Sequence, residues 1–321
     1  MGVAGSRFRE RRLGPVGGQF RVGEQVPQGA PTEPTTKSPP VSYLKEKNMD
    51  TSNHLETLLQ AKHGFTNLQV VFTDIEKYSL RKSTVQKSII EAFTNVVKKS
   101  LHTITHNYLA YAQAHNANFS TDILKLTTGD GLAIVFTFEG LQRIHLDFAE
   151  SLLSEIHKKN QKTPCSRFEN TGWCNCHNNF RVRVGISEGK GIMYKDVNGS
   201  YNVAGGAINL AARIMGLGEG MKVLVSELAY RNVIDMTTDM ELEDKFRVFE
   251  GIIVKHGLEL NVYQYCPPDK VFINCDEPKA LTLNMKMREV QHMMWPRLQK
   301  LGNQIRTAWW TWGGMRTYPA A

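Results

Sequence analysis

Residues 122–138 read DILKLTTGDGLAIVFTF, two short apolar and β-branched runs on either side of Gly129-Asp130-Gly131. That spacing is a strong hairpin signal, because the turn needs backbone angles that glycine reaches without cost. Upstream, NLQVVFTDI (67–75) has the composition of a buried strand, and TVQKSIIEAFTNVVKKSLHTIT (84–105) places its apolar residues at helical spacing. Downstream, GLQRIHLDFAESLLSEIHKK (140–159) is an amphipathic helix and FRVRVGISEGKGIMY (180–194) alternates as a strand pair. The resulting β-α-β-β-α-β order is the ferredoxin-like arrangement. Its class is α+β, an antiparallel-dominated sheet with helices on one face. Additions follow: a helix flanked by glycines at AGGAINLAARIMGLG (204–218), a strand at KVLVS (222–226) and a short helix at SELAYRNVI (226–234). FRVFEGIIVKHGLELNVYQY (246–265) supplies two final strands.

The periodic body runs over residues 49–266. Before it, residues 1–48 hold six of the twelve prolines and seven glycines without apolar periodicity. Such a segment buries too little surface to offset its ordering entropy and is expected to be disordered. After it, residues 267–321 lose the pattern, although REVQHMMWPRLQKLGNQIR (288–306) is expected to form a helix; this tail has no assigned role. The net charge of +8 sits in these flanks: 8 basic against 4 acidic residues in each, and 23 against 23 between them. The body therefore shows no basic excess of the kind that grips a phosphate backbone, which argues against nucleic acid as a partner. No apolar run is long enough for a membrane span or a secretory leader, so a cytoplasmic protein without a membrane partner is expected. Five cysteines without a paired framework are expected to be reduced thiols or metal ligands.

Asp74 closes an apolar strand, where a charge is costly unless something pairs with it. Asp130 sits in the hairpin turn. Each alone is an ordinary turn residue. Together, on strands that a β-α-β-β order places side by side, they offer oxygen ligands suited to Mg²⁺ or Mn²⁺. Asn209 and Arg213 lie four apart and share one helix face. They are surrounded by small and apolar residues, an odd setting for plain surface.

VVFTDIEKYS, TTGDGLAIVF, VRVGISEGKG and NVAGGAINLAARIM resemble, in order, four motifs of the class III nucleotidyl cyclases over about residues 66–265. The resemblance implies conversion of a nucleoside triphosphate to a 3′,5′-cyclic monophosphate and pyrophosphate by two-metal catalysis. It assigns metal binding to Asp74, Asp130 and the backbone at Ile75. Asn209 would orient the ribose, and Arg213 would offset the charge developing on the α-phosphate. Ser79 and the backbone of 75–79 would cradle phosphate oxygens. Lys255, in IIVKHG, matches the lysine that contacts the terminal phosphates, with Arg183 the weaker candidate for that task. The family builds its sites between two chains packed head to tail, which implies a homodimer.

Two positions depart from the purine-specific pattern. Leu126, four residues before the second metal Asp, stands where a Lys reads adenine or a Glu reads guanine, and it cannot hydrogen-bond. Asn202, seven residues before Asn209, stands where an Asp or Cys is typical. Two readings stay open, a purine cyclase with degenerate specificity and a pyrimidine cyclase. DVNGSYNVAGGAINLAARIMGL also resembles the bacterial pyrimidine cyclases of anti-phage defence, which implies UTP, then CTP, as substrate and a separately encoded cyclic-nucleotide effector. A further alternative is an inactive cyclase-like nucleotide-binding or dimerisation module. Finally, Cys165, Cys174, Cys176 and His177 fall in one loop. Their C-x₈-C-x-C-H spacing is not a standard zinc pattern, so a loop packed by its own side chains is expected, with zinc as the alternative.

Overall fold

The structure, a computed structural model, describes residues 53–60 and 65–313. The segment 1–48, expected to be disordered, lies outside the described residues.

β1 (Phe65–Ile75) is an eleven-residue strand buried on both faces from Leu68 to Val71. Its neighbour β3 (Gly131–Phe136) is buried at every position. Continuous apolar runs fit the two strands because layers cover the sheet above and below. β2 (Leu124–Thr127) forms the expected hairpin with β3, so that β1, α2 (Ser83–Asn107), β2, β3, α5 (Ile144–Gln161) and β4 (Val182–Lys195) reproduce the β-α-β-β-α-β order, with two short helices, α3 (Leu109–His115) and α4 (Phe119–Asp122), between α2 and β2. Strands β5 (Tyr201–Gly205), β6 (Val223–Ser226), β7 (Phe246–Val254) and β8 (Leu258–Tyr265) complete an eight-stranded sheet. Its order is β2-β3-β1-β4-β6-β8-β7, with β5 paired to β4. Among the described residues every strand pairing is antiparallel except β4 with β6.

The helices do not all lie on one face. Val71, Ile75, Ile134, Phe136, Val184 and Ile186 form the large core with α2, α5 and α8 (Glu227–Asp235). Leu68, Val70, Ala133 and Val135 point the other way, where they meet Leu55 of α1 (Asn53–Gln60) and Ala207 and Ala211 of α7 (Gly206–Met215). Sequence periodicity shows that a helix has an apolar stripe but not which side of a sheet receives it.

Residues 180–194 are not a strand pair. They form one long strand, because the reversal lies further on, at 196–200. There Asp196 Oδ1 accepts hydrogen bonds from the N–H groups of Asn198 and Ser200 at 2.8 and 3.0 Å, and Gly199 takes φ 75°. Ala204 and Gly205 therefore belong to β5, and α7 begins at Gly206. The C-terminal helix α9 is longer than expected, running Lys279–Gly313 through Pro296. Cys266 and Cys275 also depart from the expectation of reduced thiols. They are disulfide-bonded, the chain after β8 bringing their Cα atoms to 5.2 Å, within bridging range.

α7 lies against β4 only because residue 185 is glycine. A Cβ there would stand 2.3 Å from the Ala211 carbonyl oxygen and 2.4 Å from the Met215 nitrogen. Both are backbone atoms of α7 and cannot swing aside. Gly185→Ala is expected to lower stability by about 1–3 kcal/mol, the usual cost of overpacking. An unchanged urea-denaturation midpoint would show that α7 does not rest on β4 at this point.

Candidate active site

The register of β1 builds the site. Asp74 is the strand's penultimate residue, opposite Gly131 of β3 on one side and Arg183 of β4 on the other. Side chains alternate along strands, so Asp74 shares a face with Leu68 and Val70, and Arg183 shares the face of Gly185 beneath α7. The hairpin turn is drawn onto the same point, because Ile75 N–H donates to the Asp130 carbonyl oxygen at 3.2 Å. Asp74, Asp130, Arg183 and α7 thus share one face at one end of the central strands.

The Asp74 carboxyl is pushed above the ordinary carboxylate range, first by burial and then by the like charge of Asp130. Arg183 opposes both effects, since its Nη2 donates to Asp74 Oδ2. One guanidinium against two carboxylates leaves the corner one negative charge in excess. Hard oxygen donors with uncompensated charge suit a divalent cation of the Mg²⁺ or Mn²⁺ kind. The donor set therefore fits the metal ions expected from the sequence, with Asp74 and Asp130 as the side-chain ligands. Ile75 itself is buried and can contribute only through its backbone.

Beyond Ile75 the chain turns sharply. Lys77 adopts the left-handed conformation (φ 55°, ψ 35°) and leads into a single 3₁₀ turn, Tyr78–Leu80, that leaves Ser79 exposed. On α7, Asn209 is exposed and Arg213 half-buried. Neither side chain has a hydrogen bond or ion pair with a described residue, so both are free to meet something outside their own fold. Leu126 faces the same side of the sheet as Leu124. β5 folds back so that Tyr201 and Val203 join both leucines in one apolar cluster. Asn202, half-buried, alternates with Tyr201 and Val203 and so faces away from that cluster; Val203 N donates to its Oδ1 at 2.8 Å.

Lys255 is not brought to this corner. It is exposed at the turn between β7 and β8, and β7 is the edge strand four places from β1. At about 4.8 Å per strand that is roughly 19 Å. Arg183, the weaker candidate in the sequence, is the cation that the fold sets on Asp74. Counting alternate positions from Gly185 would have found it.

One contributor escaped notice in the sequence altogether. Arg81 is buried just beyond the 3₁₀ turn, donating to the carbonyl oxygen of Asn179 at 2.7 Å and, at 3.5 Å each, to those of Gly172 and Cys174. It ties the turn after Asp74 to the cysteine-bearing loop. In that loop the sulfurs of Cys165, Cys174 and Cys176 lie within 4.8 Å of one another, while His177 stays outside the group.

Residues 61–264 match the family model described as Adenylate and Guanylate cyclase catalytic domain. No curated protein matches the chain. Among solved structures it is similar to the guanylate cyclase domain of RhGC from Catenaria anguillulae in complex with GTP: 17% identity over 62% of this chain and 96% of that one, TM-score 0.43. It is similar also to the adenylyl cyclase CyaB from P. aeruginosa (18%, 63% and 95%, TM-score 0.43). A third is the adenylate/guanylate cyclase/hydrolase from Silicibacter pomeroyi (18%, 63% and 98%, TM-score 0.44). No helix among the described residues is long and apolar enough to cross a membrane. With a family match over 204 of 321 residues, the chain belongs to the adenylate and guanylate cyclase family and carries a class III nucleotidyl cyclase catalytic domain.

Proposed function

We propose that the protein cyclises a pyrimidine nucleoside triphosphate, UTP before CTP, to its 3′,5′-cyclic monophosphate and pyrophosphate. The observation that carries the choice of base is Leu126, an apolar side chain in an apolar cluster at the position where purine cyclases place their base-reading Lys or Glu. The adjacent Lys125 cannot substitute for it. It follows Leu124 and precedes Leu126, so it faces the other side, where its Nζ donates to the carbonyl oxygens of Ser120 and Ile123 at 2.7 and 3.1 Å. Asn202 lies between Tyr201 and Val203 and by the same alternation faces the other side of β5, so the order UTP before CTP is supported by the resemblance of residues 196–217 and not by this side chain.

In this reading the ribose 3′-oxygen attacks the α-phosphorus, its bond to phosphorus forms, and the bond to the departing pyrophosphate breaks. Asp74, Asp130 and the Ile75 backbone would hold two divalent ions, which lower the pKa of the 3′-hydroxyl and neutralise the triphosphate. The turn at 75–79, with Ser79, receives phosphate oxygens, and Arg183 stands ready to exchange Asp74 for phosphate. Arg213 offsets the charge on the α-phosphoryl oxygens, and Asn209 orients the ribose. Asn209, Arg213 and Lys255 would come from a second copy packed head to tail. Their lack of partners and the distance of Lys255 within one chain support that arrangement. The resemblance of 196–217 to the pyrimidine cyclases of anti-phage defence supports a role as signal synthase for a separately encoded effector.

Purified protein given each of ATP, GTP, CTP and UTP with Mn²⁺ is expected to yield cyclic UMP as the main product by mass spectrometry. Asp74→Ala and Asp130→Ala should each reduce that yield at least about a hundredfold with the circular dichroism unchanged. Cyclic AMP as the dominant product would end the pyrimidine reading, and no cyclic product from any substrate would end the enzyme reading.

The dimer has its own test. Asp74→Ala and Arg213→Ala chains, each inactive alone, should recover about a quarter of wild-type turnover when mixed in equal amounts, because half the dimers are mixed and each of those holds one intact site. Absence of recovery under subunit exchange would place both residues in one chain's site.

Metal binding should also follow pH. A carboxyl with a raised folded-state pKa keeps its proton more tightly when folded, so its stabilising effect is present at low pH and lost as pH rises through that pKa. A cation reverses this by preferring the ionised pair. The thermal stabilisation by Mn²⁺ should therefore grow as pH rises from the carboxylate range towards neutrality, and it should vanish in Asp74→Asn. A shift independent of both would place the ion elsewhere.

A further inference from the structure

The loop between α5 and β4 spans residues 162–181 and contains one short helix, α6 (Ser166–Thr171). Its apolar anchors are Phe168 and Phe180, both buried, while Trp173 is covered on one face by the Arg167 guanidinium, 5.0 Å from the ring centre. Gly172, at φ 76°, turns the chain back on α6. That reversal brings Cys174 and Cys176 against Cys165, which immediately precedes α6. Cys165 and Cys176 sulfurs are 3.2 Å apart, and all three sulfurs fall within 4.8 Å of one another. Three thiolates around a tetrahedral zinc ion, with Zn–S near 2.3 Å, stand about 3.8 Å from each other. The Cys165–Cys176 separation is about 0.6 Å short of that value and the other two do not exceed 4.8 Å, so small side-chain shifts would reach it.

The surroundings suit the charge such a centre would carry. Zinc with three thiolates is a net monoanion, and two cations hold the same loop. Arg81 bonds the carbonyl oxygens of Gly172, Cys174 and Asn179. Lys159 bonds the Asn178 carbonyl oxygen at 2.6 Å and the side-chain oxygens of Asn178 and Asn179 at 2.9 and 3.3 Å. Cys174 is fully buried, Cys165 half-buried and Cys176 exposed. The cluster therefore has a buried floor and an open mouth through which an ion can enter and a fourth ligand, water or a reoriented His177, can complete it.

We propose that Cys165, Cys174 and Cys176 form a zinc site that fastens this loop and, through it, the turn that follows Asp74. The mechanical link is short. Glu76 N donates to the Arg181 carbonyl oxygen at 2.9 Å and Lys77 Nζ to that of Thr171 at 2.6 Å. Lys82 N donates to Asn175 Oδ1 at 2.9 Å. With Arg81 these contacts tie residues 76–82 to the cysteine loop, so an ion that closes the loop also limits movement of the turn. Zinc binding stands on the cysteines alone, whereas an effect on turnover rests on the proposed cyclase function.

The test uses the full chain, purified under reducing conditions without chelator. Elemental analysis should find about one zinc per chain. Cobalt replacement should give a near-ultraviolet thiolate-to-metal charge-transfer band and the visible bands of a tetrahedral site. Cys176→Ser, an exposed change that leaves the buried floor intact, should bind zinc at least about tenfold more weakly and show a charge-transfer band reduced by about a third, in proportion to the thiolates lost. The paired change Cys266→Ser with Cys275→Ser should leave both unaltered. Hydrogen exchange of residues 76–82 should slow when zinc is added, whatever the protein's activity.

Less than about 0.2 zinc per chain with all three thiols reactive, or a Cys165–Cys176 disulfide shown by the loss of two hydrogens, would overturn the site. Zinc bound without any change in exchange at 76–82 would overturn the coupling. Zinc bound with no cyclic product from any triphosphate would refute the cyclase reading while leaving the site in place.

Discussion

Asp74 is held opposite Gly131 and Arg183 by two antiparallel registers, and the chemistry of this protein depends on that pairing. A slip of one residue would turn the carboxylate into the apolar core beneath α2 and α5, since successive strand side chains face opposite ways. The register is protected by the apolar residues that precede it. Val71 and Ile75 belong to one cluster, Leu68 and Val70 to the other. Asp74 thus comes at the end of a strand whose inner residues have no alternative placement. The energetic cost of a half-buried carboxylate next to another is borne by two fully covered faces.

The same economy explains the glycines around the site. At Gly131 a Cβ would stand 2.3 Å from the Thr73 carbonyl oxygen, so the hairpin can close onto β1 only with glycine there. Gly185 performs the corresponding service for α7. Both close approaches bring polar groups to one end of the sheet. The second apolar cluster then extends to Leu126, so the metal corner and this candidate base-reading position share one face.

Much of this was legible in the sequence, and the exceptions have definite causes. The hairpin, its aspartate and the β-α-β-β-α-β order follow from local patterns, because a Gly-Asp-Gly turn and a helical period are set by neighbours in the chain. The long strand β4 was misread because Gly189 and Gly191 look like a turn, whereas the reversal belongs to Asp196 and Gly199. The positions of α1 and α7 on the second face, the Cys266–Cys275 bond and the convergence of three thiols are products of packing between distant segments. That Arg183 meets Asp74 while Lys255 lies four strands away could not be read from their motifs, which carry no information about the separation of β7 from β1.

That separation bears on how the site must be completed. Within one chain the fold places two carboxylates, one guanidinium and a turn suited to phosphate at the same point. The side chains of Asn209 and Arg213 project from α7 without a described partner, and Lys255 lies across the sheet. A cation beyond reach on the same chain, together with an Arg and an Asn committed to nothing, is wasteful in a monomer. In the proposed two-fold pair packed head to tail, each chain would present its carboxylates to the other's α7, and no further protein would be needed. The groups left without a described partner on one chain would then supply the missing half of its twin's site.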